Sequence, residues 1–312
     1  MLCRFIRSVY RGVVSLAVVM VFSGGAGAAQ PLRVVTTLSV FADLVKQVGG
    51  EEVQVSYVAS PRFNPHFIEP KPSDVLKVKK ADLFVHAGLD LEAWRGPLLD
   101  AAGNPKLFPG STGELDLSRG ISLLEVPDRP LSRLMGDIHI YGNPHYWLDP
   151  ENAKIMAQAI AAKLSEMDPA RAVAYQKRLS DFLSRLDQKI SQWKQTAASI
   201  RGKEAIAYHN EWPYLAEFLG IKIDQFLEPK PGIPPNPKHL GFLEEYIKSH
   251  NIKMIVQPTY FPSASSEVLA KRTGAKVVTL CQNLGELPQA KDYLSFIEYD
   301  VRQIVQALEN DK

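Results

Sequence analysis

Short apolar runs alternate with amphipathic helical segments along most of this 312-residue chain. In the first part, strands are predicted over residues 33–36, 53–58 and 82–86, and helices over residues 40–48 and 73–80. In the last part, strands are predicted over 204–208, 221–226, 252–256 and 277–280, and helices over 212–219, 237–249, 265–273 and 293–308. This alternation is typical of α/β domains in which helices cover a mainly parallel sheet.

The two alternating parts are separated by a long helical stretch. Apolar residues recur there at helical spacing, first at Ala153, Met156, Ile160 and Leu164, and then at Leu179, Phe182, Leu186, Ile190 and Trp193. After Pro169 the sequence contains no Gly or Pro up to Ile200, which allows one helix of roughly 45 Å. The pattern favours a rigid helix laid between two lobes, and a helix of an ordinary bundle is the alternative.

These observations divide the chain into four predicted parts. Residues 1–29 are a signal peptide, 30–165 an N-terminal α/β lobe, 166–202 a long linking helix and 203–312 a C-terminal α/β lobe. About 283 residues remain after the signal peptide, enough for two domains. The predicted fold class is therefore α/β, with two similar lobes of mainly parallel sheet joined by one long backbone helix.

The first 29 residues have the features of a secretory signal peptide. Three arginines stand within the first eleven residues, an apolar run covers 13–22, and small residues at 26–29 suit a cleavage site. The apolar run is short for a membrane span, although an uncleaved anchor is the alternative. Because Cys3 precedes the apolar run, no cysteine is placed for lipid attachment. We expect an exported, periplasmic protein that is not lipidated.

The net charge and the cysteine content exclude some functions and one kind of covalent bond. Cleavage would remove three of the 36 Lys and Arg residues, leaving 33 against 34 Asp and Glu and a net charge of about −1. A chain with this charge is not expected to bind nucleic acid or an anionic membrane. Cys281 would be the single remaining cysteine, so no intramolecular disulfide can form. It follows an apolar run, which predicts a buried core thiol.

Three of the seven histidines stand in short motifs at predicted element boundaries. The motifs are Asn-Pro-His at 64–66, Asn-Pro-His at 143–145 and Tyr-His-Asn at 208–210. A proline before a histidine stiffens the backbone and excludes a helix there. His209 follows a predicted strand, and ligands of open α/β sheets bind at that edge. Three imidazoles from distant parts of a chain suit a divalent metal such as zinc. We therefore predict that His66, His145 and His209 share a metal site between the lobes.

At these motifs the chain resembles the cluster A-I solute-binding proteins of ABC transporters, which capture zinc or manganese outside the membrane. The likeness lies in NPHFIEPKPSD at 64–74, GNPHYWLDP at 142–150 and YHNEW at 208–212, and it extends over essentially all of the mature chain. The resemblance implies two lobes joined by a backbone helix, with the metal held between them by His66, His145 and His209. It also implies that the protein acts as a monomer, delivers the metal to an ABC permease and is not an enzyme.

The sequence departs from the family pattern at the fourth ligand. Many members place an Asp after the last strand of the second lobe, where this chain has Leu-Cys-Gln-Asn-Leu-Gly at 280–285. The alignment puts Gln282 near that Asp, with Asn283 beside it, and a neutral amide is a weaker zinc ligand. The fourth position could therefore be Gln282, Asn283, Glu286, Glu69 or a water. The family's His-rich loop is reduced to residues 129–140 with one histidine, His139. This residue could help to capture the metal, but a solvated loop residue is the preferred interpretation.

Other polar residues near the motifs have simpler interpretations. His86 ends a predicted strand and is expected to be a hydrogen-bonded residue of the cleft lining. Asp74 and Asp149 could orient a ligand histidine, but helix capping is the preferred interpretation. Ser73 is the predicted N-cap of the helix over 73–80.

Two other classes of protein could also use these histidines or a cleft between two lobes: a zinc hydrolase and a binding protein for an organic ligand. Three histidines with an open position also describe a catalytic zinc, with Glu69 or Glu211 as the base, although the chain has no His-Glu-x-x-His. A binding protein for an organic ligand or metal chelate would need an aromatic or Arg-lined cleft and would leave the histidines unexplained. Within the family, a histidine in the third motif favours zinc over manganese, because manganese prefers oxygen ligands.

Overall fold

The computed structural model of the protein describes residues 30–128 and 139–309, and the predicted signal peptide lies outside them. The first sheet contains β1 (Leu32–Thr36), β2 (Val53–Tyr57), β3 (Leu83–His86) and β4 (Glu114–Asp116), in the order β2-β1-β3-β4. The second contains β5 (Glu204–Ala207), β6 (Lys222–Phe226), β7 (Met254–Pro258) and β8 (Lys276–Leu280), in the order β6-β5-β7-β8. Every strand pair is parallel. The prediction of two similar α/β lobes is confirmed.

Helices connect the strands and cover the sheets. The first lobe has α1 (Ser39–Gly49), α2 (Pro72–Lys80) and α3 (Arg95–Ala102), and α4 (Pro150–Met167) and α5 (Ala172–Thr196) follow it. The second lobe has α6 (Pro213–Leu219), α7 (Pro237–Ser249), α8 (Ala264–Thr273) and α9 (Tyr293–Glu309). Strands β3 and β7 are buried along their whole length, as expected where helices cover both faces of a parallel sheet. None of the helices in the described part of the chain combines the length and apolar character needed to cross a membrane.

The long helical stretch is helix α5 with a 3-10 turn at each end. The helix has 25 residues, and the turns are Pro169–Arg171 before it and Ala197–Ile200 after it. Its buried face consists of Tyr175, Leu179, Phe182, Leu186, Ile190 and Trp193. This is the predicted apolar stripe with one additional residue, Tyr175. The helix packs against α1 of the first lobe and α9 of the second.

Polar contacts fasten α5 to both lobes. In the first lobe, Arg178 Nη2 lies 2.5 Å from Glu52 Oε2, and Arg178 Nε donates to the Val48 carbonyl oxygen over 2.8 Å. In the second lobe, Trp193 Nε1 donates to Glu298 Oε2 over 2.7 Å. Because each lobe is attached to the same helix, bending between the lobes would have to deform α5 or break these contacts. The domain limits at residues 165 and 202 remain our proposal.

The structure corrects some details of the sequence interpretation. Helix α2 begins at Pro72, so Lys71 and not Ser73 is its N-cap, and Asp74 Oδ2 accepts a hydrogen bond from the Lys71 N–H over 3.0 Å. Proline suits the first helical position because its missing N–H would have no helical partner. Helix α3 and strand β4 were not predicted, since α3 contains Gly96 and Pro97 and β4 has three residues. The prediction of a buried, free Cys281 is confirmed.

Candidate metal centre

The two Asn-Pro-His motifs form the same local turn. His66 lies in a 3-10 turn at Pro65–Phe67, and the side chain of Asn64 accepts a hydrogen bond from the His66 N–H over 3.0 Å. His145 precedes another 3-10 turn, and Asn143 Oδ1 accepts from the His145 N–H over 3.1 Å. An Asn side chain that binds the backbone two residues later is a common turn. The asparagine therefore shapes the backbone that presents each imidazole.

The third histidine follows the carboxyl end of β5. The backbone of Tyr208 pairs with β7 through a 2.7 Å hydrogen bond to the Val256 carbonyl oxygen, so the chain leaves the sheet at His209. The Tyr208 ring stacks on Phe261 with ring centroids 4.2 Å apart. His209 is thus placed by the sheet edge and by an aromatic contact next to it, as expected for a ligand at the carboxyl ends of parallel strands.

The structure brings the three predicted histidines together. The ring centroids of His66 and His145 are 5.2 Å apart, those of His66 and His209 are 5.6 Å apart, and those of His145 and His209 are 6.2 Å apart. The Nε2 atoms of His66 and His145 lie 3.1 Å from each other. All three side chains are buried. The three motifs therefore meet at one point, although 143 positions separate the first histidine from the last.

Hydrogen bonds around His145 determine which ring nitrogen carries its proton. Asn143 Nδ2 donates to Glu125 Oε2 and to the Asn210 carbonyl oxygen, over 3.0 Å each, so the amide oxygen of Asn143 must face the other way. That oxygen lies 3.0 Å from His145 Nδ1. His145 therefore has its proton on Nδ1 and its acceptor lone pair on Nε2, the atom that faces His66, which is the arrangement that a metal ligand requires.

A carboxylate has the same effect on His209. Glu228 Oε2 lies 2.6 Å from His209 Nδ1 and also accepts from the Gly232 N–H over 3.0 Å. A carboxylate accepts hydrogen bonds, so the His209 proton belongs on Nδ1. His209 Nε2 is buried and has no hydrogen-bond partner among the described residues. A buried nitrogen lone pair without a partner fits a cation that is bound there.

Burial also keeps two of these imidazoles neutral. The pKa of His66 and the pKa of His145 lie well below the ordinary value, first because burial disfavours the charged ring and then because other histidines are close. Metals bind the neutral imidazole, so burial favours the form of these rings that binds metal. The donor set and its protonation fit a divalent transition metal.

A fourth imidazole belongs to the same cluster, although the sequence analysis preferred a solvated loop residue there over a role in metal capture. The His139 ring centroid lies 4.9 Å from that of His66 and 6.0 Å from that of His145. The interpretation of His139 as a solvated residue is wrong, because its side chain is only 11% exposed. The available signal was its position six residues before His145, but no periodic pattern around it predicted a packed conformation.

The residues predicted as fourth ligands have different surroundings. Gln282 is fully buried, and its side-chain oxygen and nitrogen have no hydrogen-bond partner within the described ranges. Asn283 is also buried, and its Oδ1 likewise has no hydrogen-bond partner among the described residues. Glu286 Oε1 accepts from the backbone N–H groups of both residues, over 2.9 and 2.7 Å, so it orders their loop. Glu69 is exposed and lines an outer groove together with Ser56, Lys71 and Lys77.

The buried carboxyl of Glu211 bears on the zinc hydrolase alternative. Tyr260 donates a 2.7 Å hydrogen bond to Glu211 Oε1, and Glu211 is fully buried. Burial raises the pKa of Glu211 well above its ordinary value and so favours the neutral carboxyl. A carboxyl in its neutral form cannot take a proton from a metal-bound water, and Glu69 is exposed.

A second group of side chains that could bind a metal forms a network of hydrogen bonds and ion pairs with an arginine. In the described part of the chain, ligand atoms of His86, Glu114 and Asp116 lie within 4.8 Å of one another. The Arg95 guanidinium lies within 2.7 Å of both ring nitrogens of His86 and 3.9 Å from Glu114. Since Arg95 already supplies the positive charge, a metal ion is not needed there. The hydrogen bonding predicted for His86 is present, whereas its place in the cleft lining stays a prediction. Asp149 caps α4, as expected.

A cavity of about 270 Å³ opens beside His209. It is lined by Asn64, Phe67, Tyr208, His209, Glu228, Gly232, Pro234, Phe261 and Pro262. Its walls therefore come from the first His motif, the third His motif and the Pro-rich loop after β6. Of the three predicted metal ligands, only His209 is among the described residues that line this cavity.

Comparisons with known proteins give a consistent result. The profile of the family described as "Zinc-uptake complex component A periplasmic" matches residues 34–307. The high-affinity zinc uptake system protein ZnuA of Bacillus subtilis (strain 168) is 28% identical over 252 residues, 80% of this chain and 77% of that protein. The manganese ABC transporter substrate-binding lipoprotein PsaA of Streptococcus anginosus is 23% identical over 288 residues, 89% of this chain and 90% of that protein. A crystal structure of ZnuA has a TM-score of 0.76 at 25% identity, covering 89% of this chain and 99% of the other.

Proposed function

We propose a function from the premise that this chain belongs to the ZnuA family, described as component A, periplasmic, of zinc-uptake complexes. It is a metal-binding solute-binding protein of ABC-transporter type, and its relatives are named for metal uptake and not for enzymatic activity. In our proposal it captures one zinc ion outside the cytoplasmic membrane through His66, His145 and His209. It then delivers the ion to an ABC permease for import.

The single observation that carries the proposal is the direction of the nitrogen lone pairs. His145 and His209 donate their Nδ1 protons outward, to Asn143 and to Glu228. Their Nε2 atoms are thereby left as acceptors in a buried cluster that also contains the ring of His66. Imidazole ligands of zinc are held in this way, with the outer N–H bound to an amide or carboxylate oxygen.

The donor set favours zinc over manganese. Neutral imidazole nitrogens suit zinc, whereas manganese prefers carboxylate and other oxygen ligands. The proteins named above include one zinc and one manganese binder, so the choice of metal is argued from the ligands of this chain. Manganese remains the alternative within the family.

The location and state of the protein are part of the same proposal. We place it in the periplasm as a monomer, released by cleavage near residue 29 and without a lipid anchor. Several relatives are named lipoproteins, so the absence of lipid is a specific claim. The intact mass of the mature protein, purified from the periplasm of cells that express the full chain, would distinguish the two forms.

Zinc titration tests the proposed ligands. Wild type and the variants His66→Ala, His145→Ala and His209→Ala would be purified without a His tag and titrated against a zinc-competing chromophore. We expect one zinc per wild-type chain and much weaker binding in each variant. His250→Ala is the matched control, because His250 is exposed and stacks on Tyr246 at 4.0 Å. If His209→Ala binds zinc as tightly as wild type, the ligand assignment is wrong.

A further inference from the structure

We infer that His139 is the fourth ligand of the metal site and that Asp90 is the residue that positions it. The inference rests on the function proposed above and deepens it, because it specifies the complete ligand set. In this inference His139 takes the place of the predicted fourth ligand Gln282, which aligns near the Asp of many family members. The observations are the placement of the His139 ring, the direction of its lone pair and the shape of the turn that carries Asp90.

The His139 ring is placed where a fourth ligand is needed. It packs against His66 and His145, and these two already approach each other through their Nε2 atoms. His139 Nε2 is buried and, in the residues that the structure describes, has no hydrogen-bond partner. A buried nitrogen with a lone pair and no donor nearby is costly unless something binds it. A metal ion shared with the other histidines would satisfy it.

Asp90 determines the direction of that lone pair. Asp90 Oδ1 lies 2.7 Å from His139 Nδ1, and Asp90 Oδ2 accepts from the Ile140 N–H over 3.0 Å. One carboxylate thus holds both the ring and the backbone of this segment. Because a carboxylate only accepts, the proton of neutral His139 is on Nδ1 and the lone pair is on Nε2. The arrangement matches that of His209 with Glu228.

The turn before Asp90 has a conformation that is unusual for its sequence. Gly88 and Leu89 both have left-handed backbone, with φ of 75° and 54°. A Cβ at Gly88 would lie 2.0 Å from Asp116 Oδ1, so only glycine fits there. Leu89 is not a residue that adopts positive φ readily, and such conformations persist where packing imposes them, often near functional sites. Here the turn brings Asp90 from the end of β3 to the segment at His139.

The complete site then consists of four imidazoles with two carboxylates outside them. Asp90 and Glu228 are hydrogen-bonded to His139 and His209, so they balance the ion's charge without touching it. Four nitrogen ligands in a tetrahedral arrangement suit zinc and disfavour manganese, which requires more ligands and prefers oxygen. Position 139 therefore acts as a determinant of metal specificity.

X-ray absorption of zinc-loaded protein tests this inference by counting imidazole ligands. We expect four imidazoles in wild type, three in His139→Ala and four in Gln282→Ala. The last is the matched control, because Gln282 aligns near the Asp of many family members. Zinc affinity should fall at least about 10- to 100-fold in His139→Ala, since the loss of a ligand's outer hydrogen-bond partner alone has an effect of that size. Three imidazoles in wild type, or loss of a ligand in Gln282→Ala and not in His139→Ala, would overturn the inference while leaving the proposed function intact. If wild type binds no zinc, it is the proposed function that fails.

The role of Asp90 is tested with Asp90→Ala and Asp90→Asn. The amide of Asp90→Asn can still accept from His139, whereas Asp90→Ala removes the acceptor. We expect the mean imidazole number to fall below four in Asp90→Ala and to be restored in Asp90→Asn, with about 10-fold weaker binding in the latter. The melting temperatures of the metal-free variants separate this effect from unfolding. Four imidazoles in folded Asp90→Ala would show that Asp90 does not position His139.

Discussion

The side-chain amide of Asn143 donates a 3.0 Å hydrogen bond to the backbone carbonyl oxygen of Asn210 and thereby joins the second and third histidine motifs. Glu125 strengthens the connection, because its Oε2 accepts from the side-chain amides of both asparagines, over 3.0 and 2.8 Å. By the domain limits proposed above, the two motifs belong to different lobes, and this contact joins them. It therefore fixes the positions of the second and third histidine motifs relative to each other.

Replacing Asn143 should weaken metal binding without unfolding the protein. In Asn143→Ala, His145 loses the acceptor for its Nδ1 proton and the contact to Asn210 disappears. Loss of such an outer hydrogen bond typically reduces metal affinity about 10- to 100-fold. The control is Asn104→Ala, which removes a turn-capping asparagine near Ala81 and Lys106 and leaves all the histidine contacts in place. Equal zinc affinity in Asn143→Ala and wild type would contradict the prediction.

Replacing Glu228 should also weaken zinc binding, because Glu228 is hydrogen-bonded to His209. In Glu228→Gln the oxygen can still accept from His209 Nδ1, but the charge that stabilises the imidazole–metal bond is lost. We expect zinc affinity to decrease about 10-fold in Glu228→Gln and further in Glu228→Ala, which also frees Gly232. Isothermal titration of wild type, Glu228→Gln and Glu228→Ala with zinc measures the order of their affinities. The prediction fails if Glu228→Ala binds zinc better than Glu228→Gln.

Zinc affinity should fall at acid pH, below the range near pH 6.5 in which a free histidine titrates, because protons compete with the metal for the same nitrogens. Burial lowers the pKa of His66 and of His145, so their neutral, metal-binding form persists to more acid pH than that of a free histidine. It is lost as the pH falls through the lowered pKa. Competition titrations at pH 7.5, 6.5, 5.5 and 4.5 measure the effect. A loss of affinity that is already complete at pH 6.5, or an affinity that does not change over the whole range, would refute the prediction.

Asp300 should destabilise the protein at alkaline pH. Its side chain is fully buried in α9, and its Oδ1 accepts from the Cys281 N–H over 2.9 Å. Burial raises the pKa of Asp300 well above 3.8, so the folded state holds this proton more tightly than the unfolded state does. Stability should therefore fall as the pH rises from about 4 through the raised pKa.

Asp300→Asn keeps the hydrogen-bond acceptor and removes the charge. We expect it to increase the free energy of unfolding at pH 8 by about 1–3 kcal/mol and to have a smaller effect at pH 5. Urea unfolding of the metal-free protein at both pH values measures the difference. Asp100→Asn, at an exposed position of α3, is the matched control. A lower stability of Asp300→Asn at pH 8 would contradict the argument.

Metal binding should change the overall dimensions of the protein very little. Helix α5 has no internal Gly or Pro and is attached to Glu52 in one lobe and to Glu298 in the other. Small-angle scattering of apo and zinc-loaded protein should give nearly the same radius of gyration, with His209→Ala plus zinc as the control. A permease can still distinguish the two states if it binds them with different affinity. A large compaction on zinc binding would refute the rigid-helix prediction but not the metal site.

The order of the secondary structure elements was predictable because it depends on local periodicity. The stripe from Leu179 to Trp193 identified α5, and the alternation of apolar runs identified two lobes. The two Asn-Pro-His turns were also predictable, because the side chains of Asn64 and Asn143 accept hydrogen bonds from backbone N–H groups only two residues away. Elements with a weak local signal, such as the three-residue strand β4, were missed. Sequence alone thus established the fold class, the family resemblance and the three histidines.

Only the tertiary structure showed how the nitrogen atoms of the site are directed and which other residues approach them. Asp90 meets His139 from 49 positions away, and Glu228 meets His209 from 19 positions away. Such a partner determines which ring nitrogen of the imidazole carries the proton. A local sequence pattern cannot predict a contact between residues so far apart in the chain. The packing of loops from two sheets brought His139 to the cluster and left Glu69 on the surface. Ligand types can therefore be deduced from motifs, whereas the ligand set depends on contacts between residues that the sequence holds far apart.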